Sequence, residues 1–299
     1  MSGYPPVIYA QGLQGARWRL YAPWTRFLPS AFMDKTAPRW SPRCIWQGAV
    51  ACGRQQTAIQ VYVGPGVAPN NKSDPWWQGL AIGGEQHLVI SSNLPAVARL
   101  GPLPPGRLLV AGCVRQALPP LVRQLQLYGD RLAIGMAVTK NETPCWLATV
   151  EGLARRVTIL TDKRSSPWPL APSGLALRQL HYGVSRLDVD ILIVSPELIP
   201  QVQGIALPRD VVIILTDGAR PQHWLGDYGL WWDFSQLPVL PSELLAHPTD
   251  LLPLGEAVLL AAHLAHWPRP WQARLLAVEQ ALQQSEWPLR WQLASLMAE

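Results

Sequence analysis

The chain has 299 residues, 48% of them hydrophobic and only 15% charged, with 30 Pro, 15 Trp and a net charge of +5. This composition excludes a disordered chain, and the length is close to that at which a single core divides in two. No stretch reaches the ~20 uninterrupted apolar residues of a membrane-spanning helix, since Pro253 and Glu256 interrupt the best candidate, Leu251 to Ala265.

The first six residues, Met-Ser-Gly-Tyr-Pro-Pro, have no basic start followed by an apolar core, so no secretory signal is expected. Residues 1–100 read as irregular β structure, basic and rich in Trp. Short runs at Trp18–Tyr21, Cys44–Trp46, Ala58–Val63 and His87–Ile90 are separated by Gly and Pro clusters. Residues 64–75 carry enough turn formers to be read as an exposed loop. Cys44, Cys52, Cys113 and Cys145 form no CxxC pair, which favours buried free thiols over a zinc site.

The Pro/Gly segment 101–106 marks a boundary, after which strands and helices alternate as in a parallel sheet with helices on its faces. Strands are predicted at Arg107–Ala111, Leu132–Val138, Val157–Leu160, Ile191–Val194 and Val211–Leu215, and helices at Pro119–Tyr128 and Leu175–Tyr182. Residues 101–240 thus form an α/β domain with a central parallel Rossmann-like or RecA-like sheet. From residue 241 to 299 the period is helical, predicting a cap of helices at Leu254–His266, Pro270–Gln284 and Trp287–Met297, separated by prolines.

Charge is unevenly spread. Residues 1–200 hold 20 Lys and Arg against 10 Asp and Glu, and residues 201–299 hold 5 against 10. Only four of the cations are lysines, so a positive face would be made of guanidinium groups, suited to phosphate and to stacking on rings. Arg17, Trp18, Arg19, Arg26, Arg39, Trp40 and Arg43 interleave cations with indoles, the combination that holds single-stranded nucleic acid by phosphate neutralisation and base stacking. The same pattern also fits tryptophans filling a β core with arginines along its edge.

The densest chemistry follows Leu215. Asp217, His223, Trp224, Asp227, Tyr228, Trp231 and Trp232 lie within 16 residues of one another, beyond the carboxyl end of an apolar strand. That end of a parallel strand is where α/β proteins place ligands. Ser195-Pro196 lacks the Gly-x-Ser-x-Gly setting of a nucleophile elbow. Cys113 is read as lying between a strand and a helix, and His263 and His266 lack a carboxylate to complete a metal motif.

The succession Ser195-Pro196-Glu197 after one strand, Asp217 after the next, and then Gln222-His223-Trp224-Leu225-Gly226-Asp227-Tyr228 resembles the first RecA-like lobe of RecQ-type helicases over about 45 residues. The resemblance implies a DExH-type Asp and an aromatic loop coupling DNA contact to ATP hydrolysis. No Gly-Lys pair exists for a phosphate-binding loop, and Gly218 stands where the family has its second acid. The resemblance therefore implies a degenerate lobe. Residues 213–218 also resemble the third metal segment of von Willebrand factor A domains, but Asp162-Lys163-Arg164-Ser165-Ser166 does not match that family's upstream metal loop.

These readings lead to a cytoplasmic, non-catalytic subunit or adaptor of a bacterial multiprotein assembly. It would bind other protein subunits through the loop after Leu215, with single-stranded nucleic acid as a further partner at its N-terminal region, and with no cofactor, metal or membrane. The alternative is a metal-dependent nucleotide or phosphoester hydrolase built on Asp217, His223 and Asp227.

Overall fold

Two short runs of mostly β-branched residues lie side by side at the centre of a seven-stranded sheet. In the computed structural model, Ile191–Val194 pairs in parallel with Val212–Leu215, and every residue of both strands is buried. Side chains on both faces of such strands must be apolar, which is why they read as continuous hydrophobic runs and not as alternating ones. The structure describes residues 7–13, 27–29, 32, 43–52, 55–65, 88–90, 106–127, 131–161, 175–234, 251–263, 271–284 and 291–296. Among these no helix is long and apolar enough to cross a membrane.

The chain divides into two compact units, neither continuous in sequence. One is Met1–Leu109 with Ser235–Trp287, and the other is Val110–Phe234 with Pro288–Glu299. Three consecutive segments, 1–100, 101–240 and 241–299, were the expectation. Instead, the residues expected to form a separate helical cap are shared between the two units.

The first unit contains strands β1 (Val7–Leu13), β2 (Arg43–Cys52), β3 (Gln55–Pro65) and β4 (Leu88–Ile90), in the order β2-β3-β1-β4. β2 and β3 are antiparallel, while β1 runs parallel to both β3 and β4. Tyr9, Val50, Ile59, Val61 and Val63 are buried here. The helix at Leu251–His263 packs across all four strands and against a second helix, Trp271–Gln284.

The second unit is the α/β domain. Its first helix, α1 (Arg107–Gln124), begins in the first unit and continues in the second. A strand was expected over Arg107–Ala111, and the structure has helix there because the apolar run Leu108–Val110 continues at helical spacing into Val114, Leu118 and Leu121, all buried. Pro119 and Pro120 lie inside this helix. It ends at Gln126 in the left-handed region, φ 54°, with Leu127 N–H on Val122 O and Gln126 N–H on Arg123 O, a Schellman arrangement.

The strands that follow are β5 (Ala133–Ala137), β6 (Arg156–Thr161), β7 (Ala176–His181), β8 (Ile191–Val194), β9 (Val212–Leu215), β10 (Tyr228–Trp232) and β11 (Trp291–Ser295). They are ordered β11-β10-β9-β8-β5-β6-β7, all parallel except β11, which pairs antiparallel with β10. Counting β5 to β10 as first to sixth gives 3-2-1-4-5-6, the order of the doubly wound dinucleotide-binding fold. The expected α/β class with a parallel Rossmann-like sheet is what the protein has.

Two expected helices are strands. Leu175–Tyr182 holds β7, an edge strand that pairs with β6 over six residues, and Trp287–Met297 holds β11. Pairing with a neighbour overrides the helical preference of Ala, Leu and Gln in both.

Helix α2 (Thr143–Val150) carries the β5–β6 crossover, and the one-turn helix α3 (Ile199–Val202) lies in the β8–β9 connection. The β5–β6 and β8–β9 connections step along the sheet in opposite directions, so right-handed crossovers put them on opposite faces. The α3 face buries Leu160, Leu187, Val189, Leu192, Val194, Val202, Ile213, Leu215 and Leu225 in one cluster. Gly135 lets that layer approach, since a Cβ there would lie 2.8 Å from Leu192 Cδ1 and 3.2 Å from Val189 Cγ2. At the opposite end of these strands, Asp190 Oδ2 accepts the Ala133 N–H at 2.7 Å and ties β8 to β5. The helices at Leu251–His263 and Trp271–Gln284 become α4 and α5.

Candidate functional site

The order of the sheet reverses between β5 and β8, because the chain moves outward from β5 through β6 to β7 and then returns to the other side of β5. In doubly wound folds the ligand crevice opens at the carboxyl ends of those two strands. Two turns meet there, residues 138–142 after β5 and Ser195–Glu197 after β8.

Thr139-Lys140-Asn141-Glu142 follows the T-x-x-E pattern of a capping box. Glu142 and Thr143 each donate a backbone N–H to Thr139 O at 3.0 Å, while Glu142 Oε2 accepts the Thr139 hydroxyl at 2.8 Å and its N–H at 3.4 Å. Pro144 then enters the first turn of α2, where a missing N–H costs nothing. Across the switch point, Ser195 donates its N–H to Ala137 O at 2.8 Å and its hydroxyl to Glu142 Oε2 at 2.6 Å.

Glu142 and Ser195 are both 0% exposed. The Glu–Ser pair is therefore closed to solvent, and a carboxylate receiving two hydroxyl protons in this position acts as a latch between the two turns. On the next strand over, Thr216 is also fully buried and donates its N–H to Val194 O at 2.9 Å. Among the described residues, Thr216 Oγ1 and Trp146 Nε1 of α2 are buried polar atoms with no hydrogen-bond partner. The T-x-x-E signal was present in the sequence, but its partner 53 residues downstream was not.

The residues expected to form one loop site do not gather. Asp217 follows β9, with Oδ1 accepting the Ala219 N–H at 3.1 Å in a local Asx turn. Trp232 lies beside this end, donating its N–H to Gly218 O at 3.2 Å. The chain then runs back along the sheet, so that Tyr228 pairs with Val212, the first residue of β9. At about 3.3 Å per strand residue, Tyr228 and Trp232 are roughly 13 Å apart.

His223, Trp224, Asp227 and Tyr228 belong to the amino end of β10, where Asp227 O accepts the Leu296 N–H. Asp217, His223 and Asp227 therefore do not surround a common metal position, which corrects the arrangement required by the hydrolase alternative. Among the described residues no three His, Cys, Asp or Glu side chains are grouped to hold a metal ion. Trp224 and Tyr228 are exposed, at 38% and 42%, whereas Trp232 is buried in the sheet. Trp231 is half-buried under the Arg220 guanidinium, 5.1 Å from the ring centroid.

Of the N-terminal basic and aromatic set, Arg17, Trp18, Arg19, Arg26, Arg39 and Trp40 lie outside the described residues. Arg43 opens β2 and is exposed. Nearby Trp46 is half-buried, and its ring lies against Gly48, where a Cβ would stand 2.5 Å from Cζ2. Cys113 lies inside α1 and not between a strand and a helix, and burial pushes its thiol well above the ordinary range. His263 ends α4, and His266 lies outside the described residues.

No protein-family model matches the chain, and no curated protein matches it. It is similar to a crystal structure of L-tryptophan dehydrogenase from Nostoc punctiforme, with TM-score 0.36 and 11% identity over 93% of this chain and 80% of that one.

Proposed function

We propose that this protein is a non-catalytic subunit or adaptor of a bacterial multiprotein assembly, in which a doubly wound unit serves as scaffold. One observation carries the reading, the buried Glu142 carboxylate in the turn after the first strand of the sheet. A dinucleotide places its pyrophosphate at that turn, against backbone N–H groups at the start of the following helix. Here the turn is already occupied by the Glu142 carboxyl group, bonded to Thr139 and Ser195, and Pro144 removes one N–H from the helix start. A pyrophosphate bound there would have to displace a side chain that holds a buried hydrogen bond to Ser195 and a part-buried one to Thr139.

The partner-binding role rests on Trp224 and Tyr228, two large aromatics exposed four residues apart at the amino end of β10. Exposed Trp and Tyr with a polar tip are the residue types that dominate protein interfaces. The N-terminal Arg and Trp residues are the proposed contact for single-stranded nucleic acid.

The test is co-purification of the tagged full chain from its native host at about 0.1 M salt, where exposed charges still interact. The same stoichiometric protein partner is expected with wild type and lost with Trp224→Ala/Tyr228→Ala. Recovery of the chain alone, or a partner unaffected by both substitutions, contradicts the reading. Fluorescence anisotropy with a labelled single-stranded oligonucleotide at low salt tests the nucleic-acid contact, which is abandoned if no binding is seen.

A further inference from the structure

Parallel strands are usually joined by a crossover of a dozen or more residues with a helix in it. The connection from β7 to β8 spans only residues 182–190 and has no helix. It passes over the α3 face of the sheet, and among the described residues no helix covers that face at the β6–β7 edge. A half-open cavity of about 500 Å³ lies there, within the size range of small-molecule sites.

The cavity has a defined wall and a mixed lining. Leu187 N–H donates to Ala206 O at 3.0 Å and Ala206 N–H donates to Ser185 O at 2.9 Å, so the crossover is held as an isolated bridge. Val184 N–H turns back onto His181 O at 3.1 Å. Leu187 is buried, and Leu180 and Val184 pack partly buried beside it, giving an apolar side. Thr158 and Arg178 are register partners on β6 and β7, and Ser185, Arg186 and Asp188 complete the polar side.

The cations are incompletely used. Arg186 gives its Nε to Asp188 Oδ1 at 2.7 Å, and its terminal nitrogens make no hydrogen bond among the described residues. Arg178 makes no hydrogen bond, ion pair or ring contact among those residues. Two guanidinium groups against one carboxylate leave one positive charge on the lining. Guanidinium groups bind carboxylate and phosphate through paired N–H donors.

We infer that this cavity is a binding site for a small organic anion, with its carboxylate or phosphate held by Arg178 and Arg186 and its apolar body against Leu180, Val184 and Leu187. The site shares no lining residue with the Glu142 turn and does not depend on the adaptor reading.

The full chain is titrated by calorimetry with phenyl phosphate, benzoate, inorganic phosphate and neutral benzamide. One of the two aromatic anions is expected to bind saturably and about tenfold or more tighter than benzamide, a difference of about 1.4 kcal/mol. The winning anion identifies the head group, and weaker binding of inorganic phosphate is expected from the loss of the apolar contact. Arg178→Ala should weaken binding at least tenfold and Arg178→Lys less, because the charge remains while the fork is lost. Arg220→Ala should leave it unchanged, and Ser185→Glu, at an exposed position of the β7–β8 connection, should abolish it. No saturable binding, equal binding of benzamide, or unchanged binding in a folded Arg178→Ala protein overturns the inference.

Discussion

Ser195 donates a 2.6 Å hydrogen bond to Glu142, 53 residues earlier, and the two side chains are wholly buried. This bond joins the turns that follow the first and fourth strands of the sheet, at the place where its strand order reverses. That is the place where a doubly wound fold ordinarily positions a ligand.

Removing the acceptor leaves the buried Ser195 hydroxyl, the part-buried Thr139 hydroxyl and a cavity, so Glu142→Ala is expected to lower stability by about 3 kcal/mol. Glu142→Gln keeps an acceptor but adds an amide N–H₂, and its expected cost is about 1–2 kcal/mol. Urea unfolding with a shared m-value measures both. A loss below about 0.5 kcal/mol for Glu142→Ala, typical of an inconsequential surface change, would show that the latch does not hold the turns together.

Gly218 and Gly152 separate two kinds of glycine requirement. Both are left-handed, at φ +70° and +79°, but a Cβ at 218 would stand 2.5 Å from the Phe234 ring, whereas one at 152 meets nothing within 4 Å. Gly152→Ala should cost about 1 kcal/mol from backbone conformation alone. Gly218→Ala should cost about 2 kcal/mol more from overpacking, and that excess should vanish in a Phe234→Ala background. Equal losses for the two glycines would remove the steric argument.

Cys113 and Cys145 are buried, and burial raises the Cys113 pKa. The thiolate is the reactive form, so a Cys44→Ser/Cys52→Ser chain should show no fast-reacting thiol at pH 8 until it is unfolded. The sign for stability follows, since the native state holds the Cys113 proton more tightly than the unfolded one. Its contribution is complete below the ordinary thiol value of 9.0 and is lost as pH rises beyond it. Cys113→Ala should reduce the alkaline fall in stability, and an identical fall in both proteins would exclude this source.

In the first unit, Glu256 Oε2 accepts the Leu109 N–H at 3.2 Å, capping the start of α1 from 147 residues away. Glu256→Ala should cost about 1–2 kcal/mol, the worth of a helix cap. Hydrogen exchange should localise the effect to the first turn of α1. Protection there equal to wild type would mean that the cap is dispensable.

The parts of the fold that could be read from sequence are those set by local composition. β5, β6, β8 and β9 are dominated by apolar and β-branched residues with buried faces, and α4 and α5 keep the helical period, so their existence was legible. β7 and β11 are strands because β6 and β10 lie beside them, and no local pattern announces a neighbour. The grouping of α4 with the first sheet depends on contacts across some two hundred residues and was equally hidden.

The candidate site divides in the same way. Asp217 was correctly placed after a strand, but the return of the chain along β10 carries His223, Trp224 and Tyr228 to the other end of the sheet. Glu142 was missed although Thr139 and Glu142 spell a capping box. Those bonds lie within the turn before α2, and the hydrogen bond to Ser195 that gives Glu142 wider consequence is nonlocal.

The most direct test of the proposal that the switch point holds no nucleotide is a fluorescence titration of the full chain with NADH, repeated with ATP by calorimetry. No saturable binding is expected for wild type up to about 1 mM, the weak limit at which binding free energy falls to about −4.1 kcal/mol. Saturable micromolar binding of either nucleotide, lost in a folded variant of the β5–α2 turn such as Thr139→Glu, would contradict the account.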